Sequence, residues 1–101
     1  AEALKAEANT LFAHKSYEAA IDKYSQAITF NPNVAVYYAN SAFAQLQLEY
    51  YGAAIADAKR AIAVDPNYVK AYYRRASAYM ALGRLKLAIN DLKTVVKFAP
   101  Q

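Results

Sequence analysis

The sequence contains no cysteine, no tryptophan and one histidine, and only two glycines and three prolines among its 101 residues. Without cysteine there are no disulfides, no thiolate metal ligands and no thiol nucleophile. That composition suits a reducing compartment, so the chain reads as cytoplasmic or nuclear and not secreted. His14 is the sole histidine and the eight carboxylates are scattered, so neither a metal cluster nor a Ser-His-carboxylate triad assembles. His14 and Ser16 sit where a helix should end, and His14 reads as a solvated turn residue. Gly52 and Gly83 stand 31 residues apart, which rules out a phosphate-cradling glycine loop. No apolar run approaches the roughly 18 residues a membrane span requires. No charged stretch followed by an apolar one opens the chain, so no signal peptide is expected. Catalysis, cofactor binding, metal binding and membrane insertion are therefore all expected to be absent.

The residues that are present point to packed helices. Apolar side chains make up 57% of the chain, too many for disorder. Twenty-four residues are alanine, the best helix former. The scarcity of glycine and proline argues against a loop-rich all-β fold. The net charge of +4 comes from charges of both signs spread along the chain, without a dense basic run or a base-stacking motif. No nucleic-acid partner is expected.

The chain repeats itself. Pro32, Pro66 and Pro100 are each 34 residues apart, and the same step relates Ala8, Ala42 and Ala76. It also relates Ala20, Ala54 and Ala88, then Ile21, Ile55 and Ile89, and then Leu4, Tyr38 and Tyr72. This ungapped register divides the chain into units 1–34, 35–68 and 69–101 of a single domain. Each unit reads as two helices. In the first, Leu4, Ala8, Leu11 and Phe12 mark helix A, while Ala20, Ile21, Tyr24, Ala27 and Ile28 mark helix B. Ser16 is the expected cap of helix B, and Asn31-Pro32-Asn33 ends it, because proline disfavours helix at the residue before it. Gly83 is expected at a helix end requiring positive φ. Alanines 8 and 20 and their equivalents let the two helices approach closely. One such hairpin cannot bury its own apolar face, so three must stack into a curved array with the A helices on the concave side.

These columns resemble the tetratricopeptide repeat over the whole chain, through Ala8, Tyr17, Ala20, Tyr24, Ala27 and Pro32. The resemblance implies an all-α, right-handed solenoid of three helix-turn-helix repeats, six helices in all. Three columns depart from the pattern: Leu4 replaces an aromatic residue, Gln45 occupies a usually aromatic column, and Ser41 takes a column that is usually Leu or Arg.

Five polar residues on the A helices share one predicted surface. Lys5 and Asn9 are four apart on the first, Asn40 lies on the second, and Lys70 and Arg74 are four apart on the third. Stacked side by side, these helices bring three cations and two carboxamides to one groove, a set suited to a ligand with two carboxylates. The constellation is similar to the dicarboxylate clamp of chaperone-binding tetratricopeptide domains. The resemblance implies that the groove binds the Glu-Glu-Val-Asp C-terminus of heat-shock protein 90 or 70. Phe12, Phe43 and Met80 are candidates either for apolar contacts beside the clamp or for the core.

A second reading comes from the surface. The chain stops one residue short of a third full unit, so no C-terminal capping helix is expected, and Ile89, Leu92 and Val96 should be exposed on the last helix. Ala13, Tyr50, Ala53, Ala56, Ala63 and Leu87 occupy columns expected to be polar, and only 20% of residues are charged. These features describe an engineered or resurfaced scaffold that self-assembles into a homo-oligomer.

Overall fold

The computed structural model describes residues 2–98. Its helices are α1 (Glu2–Ala13), α2 (Tyr17–Phe30), α3 (Ala35–Gln47), α4 (Tyr51–Val64), α5 (Val69–Ala81) and α6 (Leu85–Phe98). No strand occurs among the described residues. The helices form three hairpins stacked as a right-handed solenoid, each helix packing on the next and α3 also on α5. Pro100, the expected stop of the third unit, lies outside the described residues.

The 34-residue register governs the packing. Ala8, Ala20 and Ala27 of the first hairpin are fully buried, as are Ala42, Ala54 and Ala61 of the second and Ala76 and Ala88 of the third. At these positions the helix backbones come close, and a larger side chain would overpack the contact. Tyr38 and Tyr72 donate from their hydroxyls to the carbonyls of Pro32 and Pro66, at 2.9 and 2.8 Å, tying each A helix to the loop before it. Asn31 and Asp65 accept from the backbone N–H two residues on, which fixes those loops.

The turns inside the hairpins share one geometry. The N–H groups of Ser16, Tyr50 and Arg84 reach the carbonyls of Leu11, Gln45 and Tyr79. This bond crosses a left-handed residue at the end of each A helix, as in a Schellman turn. Gly83 takes that conformation at φ 74°, as expected, but Lys15 (62°) and Glu49 (63°) take it in the other two hairpins. Gly52 lies just after the second of these turns, as the second residue of α4. Ser16 is the N-cap residue of α2 but makes no side-chain capping bond, as its ψ of 66° departs from the usual cap geometry.

A polar column also runs through the stack. Positions 7 and 23 of the first unit face each other as Glu7 and Lys23, 3.3 Å apart. In the third unit the pair is Arg75 and Asp91, joined by a fork of two hydrogen bonds at 2.8 and 2.7 Å. The second unit has Ser41 and Asp57 there, both buried, and Asp57 takes its bonds from Gln45 and Arg60 instead.

Candidate functional site

A cavity of about 280 Å³ opens among α1, α2, α3 and α5. Asn9, Phe12 and Ala13 of α1 line it, with Asn40 and Phe43 of α3 and Lys70 and Arg74 of α5. The three A helices thus supply all but one of its lining residues. The exception is Tyr24, which reaches in from α2.

Tyr24 ties the amides together. Its hydroxyl donates to Asn9 Oδ1 at 2.5 Å. With that oxygen engaged, the Asn9 amide hydrogens are the group left to meet a ligand. The Asn40 side chain acts on the same hydroxyl: burial raises the phenol pKa and Asn40 opposes the rise. Two mid-helix asparagines that look costly in the sequence therefore have a buried partner.

On the other wall, Phe12 and Phe43 stack with ring centres 4.8 Å apart, and the Arg74 guanidinium lies 3.6 Å above the centre of Phe43. This cation–π contact fixes the plane of the guanidinium. Burial lowers the Arg74 pKa from its ordinary value, against the pull of Tyr73 and Tyr68. An arginine so placed stays charged, and it has exchanged water for a ring face that carries no counter-charge. The cavity therefore presents cationic and amide donors, Arg74 partly desolvated and Asn9 and Lys70 open to solvent, beside an aromatic shelf, a set that suits a carboxylate ligand.

The tetratricopeptide repeat model matches residues 45–101. The chain belongs to the tetratricopeptide repeat family. Human serine/threonine-protein phosphatase 5 is 54% identical over 52 residues, which are 52% of this chain and 10% of that protein. The chain spans only that tenth of the phosphatase, and the tetratricopeptide fold is one of protein interaction, so no catalytic activity follows from the match. Among solved structures, the second tetratricopeptide domain of Spaghetti (RPAP3), bound to the HSP90 peptide SRMEEVD, is 35% identical with a TM-score of 0.94. It covers 96% of this chain and 90% of its own. The second tetratricopeptide domain of human RPAP3, in complex with the HSP70 peptide SGPTIEEVD, is 36% identical with a TM-score of 0.92, covering 96% and 81%.

Within this tetratricopeptide chain, four of the five polar residues singled out in the sequence line one cavity, with Phe12 and Phe43. Lys5 does not line it. Its ammonium pairs with Glu2 at 3.4 Å, and Glu2 also accepts from the Tyr37 hydroxyl at 3.3 Å. Lys5 and Arg74 nonetheless both act on the Tyr68 hydroxyl, where each opposes the pKa rise that burial causes. Met80 is exposed and does not line the cavity. Ala13, read as an anomalous surface alanine, is part of the cavity wall. Sequence reasoning missed Tyr24, Tyr68 and Glu2, because a tyrosine at helical spacing reads as core and an acid near the chain start reads as solvated.

Elsewhere, Ile89 and Val96 of α6 are exposed as expected, while Leu92 between them is half-buried. Among the described residues no helix is long and apolar enough to cross a membrane.

Proposed function

We infer that residues 1–101 act as one domain of three repeats (1–34, 35–68, 69–101) that captures the acidic C-terminal peptide, of Glu-Glu-Val-Asp type, of heat-shock protein 90 or 70. The observation that carries this reading is the convergence of Asn9, Asn40, Lys70 and Arg74 on one cavity beside the Phe12–Phe43 shelf. The solved complexes of related domains with such peptides support it. Lys5, Asn9 and Asn40 would hold the terminal carboxylate and the last side chain, and Lys70 and Arg74 would complete the cationic wall. Lys5, whose side chain is half-buried, would exchange the exposed Glu2 carboxylate for the incoming one. The module would work in the cytoplasm or nucleus, without catalysis or a cofactor.

Calorimetric titration with a Glu-Glu-Val-Asp-terminated peptide and its C-terminally amidated twin tests this reading. The free acid should bind and the amide should not. Lys5→Ala or Arg74→Ala should each cost about 1.5–3 kcal/mol of binding, the scale of a hydrogen bond to a charged group. Equal binding of acid and amide would sink the clamp.

A second reading rests on α6, where Ile89, Leu92 and Val96 line a shallow apolar surface and Val96 is 67% exposed. It makes the chain a self-assembling, engineered or resurfaced scaffold. Sedimentation at high concentration decides: a discrete oligomer supports it and a monomer ends it.

A further inference from the structure

The second hairpin contains a polar cavity of about 350 Å³ on the side of α3 away from the clamp groove. Asn40 and Phe43 face the groove, whereas Tyr38, Ser41 and Gln45 line this second cavity. Asp57 and Arg60 of α4 close one side, and Ile21, Ser25 and Ile28 of α2 close the other.

The third hairpin shows what belongs in such a place. There the position equivalent to Ser41 is Arg75, whose fork fills the space and grips Asp91 through both carboxylate oxygens. Its guanidinium lies 5.7 Å from the Tyr72 ring centre and 5.9 Å from that of Tyr79. The second hairpin keeps the carboxylate as Asp57 and the first ring as Tyr38. It lacks the arginine, and Gln45 stands where Tyr79 stands.

The substitutes for that arginine are incomplete. Gln45 Nε2 donates to Asp57 Oδ2 at 3.0 Å, and Arg60 Nη1 donates to Oδ1. Arg60 approaches from Asp57's own helix and its side chain is 61% exposed, so it can swing into solvent. Gln45 is only 8% exposed, and its Oε1 has no hydrogen-bond partner. That oxygen is closed off from solvent as well as unpartnered, so it meets an outside donor only when the Gln45 side chain turns toward the cavity.

We propose that this cavity is a docking site for an arginine side chain of a partner polypeptide. The guanidinium enters where Arg75 lies in the third hairpin, takes Asp57 Oδ1 from Arg60, and donates a further N–H to Gln45 Oε1. Its aliphatic stem lies along Ile21, Ile28 and Tyr38. A lysine fits poorly, because one ammonium does not serve two acceptors held apart in the fixed geometry of a fork.

The test is a nuclear magnetic resonance titration of the full chain, read at the Gln45 side-chain amide. The probes are N-acetylarginine methylamide, N-acetyllysine methylamide and methylguanidinium. The arginine probe should give a saturable shift at least tenfold stronger in affinity than the lysine probe, with methylguanidinium weaker than the arginine probe for want of a stem. Ser41→Arg, which supplies the fork from within, should abolish the shift. Asp57→Asn should weaken arginine binding tenfold or more, and it decides the matter should Ser41→Arg not fold. Equal response to arginine and lysine, no response at all, or undiminished binding in a folded Ser41→Arg chain would overturn the proposal. Methylguanidinium binding as tightly as the arginine probe would overturn the assignment to a side chain.

Discussion

The second and third hairpins share a backbone and differ in how they hold one buried carboxylate. Asp91 is gripped by a fork whose side chain is 20% exposed, in one pair with matched geometry. Asp57 is held by one arginine from its own helix and one amide, and that amide's other end is unsatisfied. The same fold thus tolerates a closed polar pair in one repeat and an open polar cavity in the next. The difference comes from two residues, Ser41 for arginine and Gln45 for tyrosine. In a stack of hairpins each repeat is supported by its neighbours, so one repeat can carry an incomplete interior without unfolding.

The largest expected effect comes from breaking the closed pair. Asp91→Asn leaves Arg75 partly buried without its anion and should cost about 3 kcal/mol. Asp57→Asn should cost about 1 kcal/mol, since Arg60 returns to water and Gln45 still finds an acceptor in the new amide. Urea unfolding of the two variants checks the ranking through their midpoints, provided the slopes stay unchanged. Equal losses would mean that the two carboxylates do equivalent work and that the comparison is empty.

The next effect runs the other way. Ser41→Arg should rebuild the fork on Asp57 and stabilise the chain by about 1 kcal/mol, a hydrogen-bonded charge pair set against the cost of ordering a long side chain. In an Asp57→Asn background the same substitution should destabilise, because it buries a cation without a partner. A double-mutant cycle reads this directly, and the coupling should reach about 2 kcal/mol. Additive effects would show that arginine at 41 does not reach Asp57.

Much of this is legible in the sequence. The 34-residue step places six helices and predicts complete burial of Ala8, Ala42 and Ala76. The same step carries Asn9, Asn40, Lys70 and Arg74 to one groove, because stacked A helices present equivalent faces. Ser41 and Gln45 stand out as departures from the family pattern, but the cavity they open does not, since a void depends on which neighbours fail to fill it. The opposite charges of Glu7 with Lys23 and of Arg75 with Asp91 lie at the same two positions of the repeat, and that signal was available in the register. The bond from Tyr24 to Asn9 was not, because it joins two helices through a hydroxyl that helical periodicity treats as part of an apolar side chain. The pairing of Lys5 with Glu2 was hidden for a similar reason: an i,i+3 pair at a helix start is common and seldom decides where a lysine points.

The smallest effects lie in the three intra-hairpin turns, where the comparison extends to the first repeat. Lys15, Glu49 and Gly83 occupy one position of the register and share positive φ near 60–75°. A side chain there meets its own backbone, at about 1 kcal/mol, whereas glycine avoids that strain but loses more freedom on folding. A Cβ built on Gly83 would touch nothing within 4 Å, so Gly83→Ala isolates the backbone terms, and the strain less the freedom that glycine gives up should cost about 0.5 kcal/mol. Glu49→Gly should gain about 0.5 kcal/mol, the strain relieved less the added entropy of glycine. Both changes leave Asp57, Asp91 and the groove untouched, so their effects should add to those of Ser41→Arg within error. If Gly83→Ala left the unfolding midpoint unmoved, the left-handed turns would carry no strain, and the stability difference between the hairpins would rest on the two carboxylates alone.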